Sequence, residues 1–182
     1  TLAGFRSADP KWETLLDLDA LSKADGRNWF FKGATCLKPA ETLCLVRLSD
    51  GGGDAVEVRE FDTATKAFVP GGFRFGAAKQ NLDWIDRDTL IVGRPWTPAD
   101  VTRSGYAYIL KTVTRGGAAT EAFRGNPGDV SAQPNVLHGD GAQADGVVIR
   151  RSVSFFENEF SLLTPKGLVR IPLPRKAEQQ AY

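Results

Sequence analysis

Apolar positions in this chain come in short runs separated by glycine- and aspartate-rich punctuation, and Thr42 to Val69 shows the pattern best. Thr42-Leu-Cys-Leu-Val-Arg-Leu48 is a near-continuous apolar run of β-formers. Ser49-Asp-Gly-Gly-Gly-Asp54 follows, and adjacent glycines supply the positive φ that a hairpin turn requires. From Ala55 to Arg59 the pattern alternates, with Val56 and Val58 on one face and Glu57 and Arg59 on the other. Phe61 breaks that parity, which predicts a bulge or twist near Glu60. Asp62-Thr-Ala-Thr-Lys66 turns the chain into a short strand, Ala67 to Val69. Strand, turn, strand, turn, strand is a β-meander.

Elsewhere the same grammar recurs. Trp12 to Leu21 reads as a strand ending in a polar turn, with a short helix as the alternative. Asp25-Gly26 punctuates, and Trp29-Phe-Phe31 resumes extended structure. A second unit starts at Leu82 to Asp86 and continues through Asp88-Thr-Leu-Ile-Val-Gly-Arg94, which aligns with Glu41 to Arg47 at an offset of 88 − 41 = 47 residues. Tyr106 to Val113 and Ala119 to Phe123 complete it. A third unit runs through Val130 to Leu137, turns at His138-Gly-Asp-Gly141, and continues over Gly146 to Arg151, Phe160 to Leu163 and Leu168 to Leu173. The polar tail from Arg175 to Tyr182 is expected to fray.

Units of ~40–50 residues with about four short strands each have the period of propeller blades. Inner propeller strands are covered on both faces, which accounts for the continuous runs Leu43 to Val46, Leu90 to Val92 and Val147 to Ile149. The expectation is an all-β chain of about three and a half four-stranded antiparallel blades. A β-sandwich of the same strands is the rival.

Composition narrows the partners. The 182 residues carry 23 Lys and Arg against 22 Asp and Glu, a net charge of +1, so electrostatics argues for neither nucleic acid nor an anionic membrane. No apolar run approaches the roughly 20 residues of a membrane span. No signal peptide is visible, and the compartment, cytoplasmic or periplasmic, stays open. The chain starts at Thr1 and contains no methionine, so a piece of something longer is expected. Cys36 and Cys44 are too few for a zinc site. A four-residue loop, Lys38 to Glu41, would put them on opposite faces as free, largely buried thiols, which is the expectation; an odd-length loop would place them opposite one another.

Candidate chemistry is thin. His138, the one histidine, sits in a Gly/Asp-rich turn and is expected to be solvent-exposed. Ser104-Gly105 lacks the first glycine of a Gly-x-Ser-x-Gly elbow. Gly139 to Ala144 formally matches a dinucleotide-binding pattern, but a strand follows where a helix is required. Gly51 to Gly53 lacks the lysine of a phosphate loop, and Asp140 and Asp145 fit no standard calcium spacing. Trp12, Trp29, Trp84 and Trp96 are core candidates. We therefore assign no catalytic, metal or cofactor residue and expect no cofactor; substrate-binding residues are not identified.

Trp12 to Leu21 followed by Trp29, Lys32-Gly-Ala34, Asp54 to Asp62 with Lys66-Ala-Phe-Val69, Trp84-Ile-Asp-x-Asp-Thr-Leu90 and Ser104-Gly-Tyr106 together resemble bacterial prolyl oligopeptidases. The likeness covers almost the whole chain. It implies the first half of a seven-bladed propeller belonging to a serine-type prolyl endopeptidase. The α/β-hydrolase domain of that family lies C-terminal, so residues 1–182 are expected to be a partial propeller domain that lacks the catalytic domain, and no triad residue carries over. The implied role is restricting the access of short proline-containing peptides to the active site and docking the hydrolase domain. The rival function is a stand-alone propeller that binds a protein partner. A partial ring exposes apolar flanks, so self-association is also expected.

Overall fold

The computed structural model describes residues 11–141 and 143–176. One helix, α1 (Leu18–Asp25), precedes thirteen strands in the described residues. The first sheet holds β1 (Trp29–Cys36), β2 (Leu43–Asp50), β3 (Val56–Asp62) and β4 (Ala67–Phe68) in that order, with β5 (Arg74–Ala78) also paired to β3. The second sheet is β6 (Asn81–Asp86), β7 (Thr89–Gly93), β8 (Ile109–Thr114) and β9 (Ala119–Arg124). The third is β10 (Ser131–Leu137), β11 (Gly146–Ser152), β12 (Asn158–Thr164) and β13 (Gly167–Ile171). Every pairing is antiparallel between sequence neighbours except the extra one of β5. Three such meanders in succession are propeller blades. A partial fourth sheet is not seen among the described residues.

The strand expected over Trp12 to Leu21 is not there. Its second half is α1, and the helix has clear end signals. The Asp17 carboxylate accepts the Ala20 N–H at 2.9 Å as N-cap, and Gly26 closes the C-terminus with φ 64°. Trp12 is 77% exposed and not a core residue. Helix α1 lies against the outward face of the first sheet. The Trp29 indole donates to Asp25 at 2.9 Å, the Trp29 backbone N–H donates to Ser22 Oγ at 3.0 Å, and the Arg59 guanidinium sits over the Trp29 ring.

The bulge or twist expected near Glu60 is not in the β2–β3 ladder; the irregularity lies on the other edge, where the β3–β5 register shifts between Val56 and Val58 and the partner changes from β5 at Arg59 to β4 at Phe61. The β2–β3 register runs unbroken from Leu43 opposite Asp62 to Leu48 opposite Glu57. Phe61 breaks the apolar alternation because both faces of β3 are covered. Val56 and Val58 face the second sheet, whereas Phe61 packs with Trp29, Val46 and Leu48 beside α1. The alignment at offset 47 fails for a related reason. Leu43 and Leu45 look towards the second sheet, while Leu90 and Val92, with which they align, look back towards the first. Sheets that follow one another around an axis must point equivalent residues the same way, and Ile91, facing the third sheet, does so.

Cys36 and Cys44 are bonded, which overturns the expectation of free thiols. Leu37 still donates to Leu43 O at 2.8 Å, so the loop is the five residues from Lys38 to Thr42. An odd count returns both cysteines to one face, directly opposite in the ladder. The frayed tail expected beyond Arg175 falls mostly outside the described residues.

Candidate functional site

Two seams separate the three sheets, and the inner strands decide what the array can do. The first strands of successive sheets run beside one another, β1 against β6 and β6 against β10, while the last strands make no comparable approach. The sheets fan outward from an axis lined by β1, β6 and β10.

The first seam is fastened by buried charge. Glu60, on the seam face of β3, has a side chain only 1% exposed. Arg115, in the β8–β9 turn, donates to it through Nη1 at 2.8 Å and Nη2 at 3.0 Å. The Phe73 backbone N–H donates to the same carboxylate at 2.8 Å. Gly72 makes room, since a Cβ there would lie 2.8 Å from Glu60 Oε2. Asp88 takes the Arg115 Nε–H at 3.0 Å, and the guanidinium lies over the Phe73 ring. The hydrogen bonds to Glu60, outweighing burial, raise the Arg115 pKa above its ordinary value. Nearer the axis, the Trp84 indole donates to Thr35 O at 3.0 Å, and Arg47 spans Thr35 Oγ1 at 2.8 Å and Leu82 O at 3.0 Å. Burial lowers the Arg47 pKa, against the pull of Asp83.

The second seam is held mostly by backbone. Ala132 N–H donates to Ala107 O at 2.8 Å, Ala144 N–H to Ile85 O at 2.7 Å, and Thr102 Oγ1 to Val130 O at 2.9 Å. A cleft of about 680 Å³, lined by Ile85, Thr112, Glu121, Val147 and Leu163 among others, remains between the sheets. The connection into the third sheet is pinned by Asp129, whose carboxylate accepts Arg151 Nε at 2.7 Å, Arg151 Nη2 at 2.9 Å and the Asn126 N–H at 2.7 Å. Burial disfavours that charge, but Arg151 and the Asn126 N–H outweigh it and hold the carboxyl below its ordinary range.

The sequence candidates can now be placed. His138 is not solvent-exposed in a free loop: its side chain is 19% exposed and its Nε2 lies 3.3 Å from Asp83 Oδ1, across the second seam. The pair is not aligned as a hydrogen bond. Ser104 is exposed in the segment between β7 and β8. The structure therefore does not bring Ser104 and His138 together as a nucleophile and its base. Asp140 and Asp145 flank the β10–β11 turn, where the Asp145 carboxylate closes on Gly139 and leaves no room for a Cβ. Among the described residues, no three His, Cys, Asp or Glu side chains converge on a metal site. Gly51 and Gly52 make the β2–β3 turn with φ of 75° and 81°. Trp29 and Trp84 are buried, and Trp96 is half-buried under Lys111. The residues that the sequence does not single out are Glu60, Arg115, Asp129 and Arg151. Only the parity break at Phe61 hinted that Glu60 lies inside.

Antiparallel four-stranded meanders fanned around inner first strands define an arc of a β-propeller. The chain matches the family model for the N-terminal β-propeller domain of prolyl oligopeptidase over residues 3–117, and it belongs to that family. It is 45% identical over 194 aligned positions to an uncharacterized peptidase, y4nA, of Sinorhizobium fredii (strain NBRC 101917 / NGR234), covering 100% of this chain and 26% of that protein. It is 31% identical over 121 residues to an uncharacterized peptidase, RP174, of Rickettsia prowazekii (strain Madrid E), covering 62% of this chain and 17% of the relative. Among solved structures, a post-proline cleaving enzyme from Rickettsia typhi superposes with a TM-score of 0.87 at 24% identity, over 96% of this chain and 28% of that one. A structure from a study of two prolyl endopeptidases gives a TM-score of 0.67 at 16% identity, over 91% of this chain and 24% of the other. These superpositions speak for the fold. The chain spans about a quarter of the length of the relatives it matches most fully.

Proposed function

We propose that this chain is the opening arc of the propeller of a proline-specific serine endopeptidase, where it restricts which peptides reach the active site and gives the hydrolase domain a surface to dock on. The observation that carries the reading is the convergence of β1, β6 and β10 on one axis, because strands so arranged become the wall of a narrow channel once the ring is completed. Family membership and the post-proline cleaving activity named for the Rickettsia typhi enzyme support the substrate class. The much greater length of the relatives favours this reading over a free-standing interaction module. In this reading the arc's work is steric, and chemistry belongs to the hydrolase domain. This chain alone should not cleave peptides.

The test uses the product of the complete coding sequence. A short fluorogenic proline peptide, a long unstructured proline-containing peptide and a folded protein with exposed prolines are offered in turn. Turnover should follow proline and fall in that order. Efficient cleavage of the folded protein, or no cleavage after proline, would overturn the proposal.

A further inference from the structure

We propose that Cys36 and Cys44 form a reducible latch on the innermost hairpin, and that its redox state sets how firmly the first sheet is tied to the second. The inference rests on the hairpin and not on the peptidase reading. These are the only two cysteines in the sequence, and they are joined. They form the last ladder pair of β1 and β2 before the connecting loop. On the other side, the β1 register breaks between Phe31 and Ala34, where Gly33 adopts φ 109°. Ala34, Thr35 and Cys36 therefore form a short island of pairing, with a bulge at one end and the disulfide at the other.

That island carries the inner fastenings of the first seam. Thr35 O receives the Trp84 indole N–H, and Thr35 Oγ1 receives Arg47 Nη1, while Arg47 Nη2 reaches across to Leu82 O. Three ladder pairs next to a bulge are weak on their own, and a covalent link across their end suppresses fraying. If the link opens, the anchor of Trp84 and Arg47 loosens with it.

Access is asymmetric. Cys44 is buried, whereas Cys36 is half-buried, and both line an apolar cavity of about 340 Å³ beneath the segment leading into α1. The thiolate of a dithiol reductant would attack Cys36 Sγ. The S–S bond breaks, its electron pair leaves on Cys44 Sγ, and that sulfur takes up a proton. The second thiol of the reductant then resolves the mixed disulfide, freeing Cys36 as a thiol and leaving the reductant as a disulfide. An oxidising compartment keeps the latch closed, and a reducing one opens it.

The experiment uses the 182-residue chain, oxidised with glutathione disulfide or reduced natively with dithiothreitol. Thiol titration of the unfolded protein should find none in the oxidised chain and both after reduction. Amide hydrogen exchange over residues 34–36 and 82–84 should speed up by about tenfold or more on reduction, while the third sheet is unchanged. Glutathione disulfide should restore the slow rate. A Cys36→Ser, Cys44→Ser chain should exchange like the reduced form and ignore both reagents. Two free thiols after native oxidation would overturn the proposal, as would a disulfide that yields to dithiothreitol only after unfolding. Equal exchange in the two redox states of the unmutated chain would also overturn it, however the double variant folds.

Discussion

The two seams are built by the same kind of strands yet held by different physics. The first contains an aromatic core, with Trp84 fully buried and its ring 5.8 Å from Phe73 in an edge-on contact, and Phe75 alongside. A buried carboxylate on one sheet meets a guanidinium from the next. The buried core of the second consists of Ile91, Leu110, Ala132, Val147 and Ile149, with Phe123 only partly covered. Its polar ties are backbone bonds, the bond from the Thr102 hydroxyl to Val130 O and the loose His138–Asp83 approach, and a large cleft stays open. Side-chain fastenings depend on single residues and can be removed one at a time, whereas backbone fastenings follow from the path of the chain. The first seam should therefore be the more stable and the more sensitive to mutation.

The largest effect is expected at the first seam. Trp84→Ala removes a fully buried ring and its indole hydrogen bond, and should cost about 3–5 kcal/mol in a denaturant titration. If Ile91→Val at the second seam, for which about 0.5–1.5 kcal/mol is expected, proves equally costly, the ranking of the seams is wrong.

Next comes the buried ion pair. Glu60→Gln removes the charge facing Arg115, weakens the acceptor for the Phe73 N–H, and should cost about 3 kcal/mol. The partner is 29% exposed, so water softens the loss on its side. Arg115→Lys should recover only part of the stability, since one ammonium cannot replace the two-pronged contact. Full recovery would show that the geometry is unimportant.

A smaller, pH-dependent effect is expected where the chain enters the third sheet. The Asp129 carboxyl is held below its ordinary value of 3.8. A depressed carboxyl contributes stability at pH above the unfolded value, and that contribution disappears as pH falls through the folded value. Wild-type stability should thus fall below about pH 4, and the fall should be shallower in Asp129→Asn. Parallel acid profiles would remove Asp129 from the account. The smallest effect belongs to Glu121, paired with Arg124 on the surface of β9, where Glu121→Gln should leave stability unchanged within error.

The contrast also explains what could be read from the sequence. The β2–β3–β4 meander was legible because glycines and a period of two mark it locally, and the seven-residue run Asp88 to Arg94 was legible as β-structure. Parity at Phe61 was misread because a strand covered on both faces has no polar side to betray its register. Helix α1 stands only as the alternative to a strand because its leucines suit either; Asp17 and Gly26, its caps, are the signal that decides for the helix. The Cys36–Cys44 link turned on a single residue of loop length. The seam chemistry was out of reach, since Glu60 and Arg115 are 55 positions apart and nothing local distinguishes them from surface charges.

The central claim is that this arc screens peptides by holding its channel closed. It is tested most directly in the full-length protein by loosening the first seam at Val58, which is fully buried there. Val58→Ala should cost on the order of 1–3 kcal/mol without touching any reacting group. The quantity to measure is the ratio of kcat/KM for a long proline-containing peptide to that for a short one. The account predicts that short-peptide turnover survives and the ratio rises. If both substrates lose activity in equal proportion, or the ratio does not move while the seam is demonstrably weakened, the screening role is contradicted.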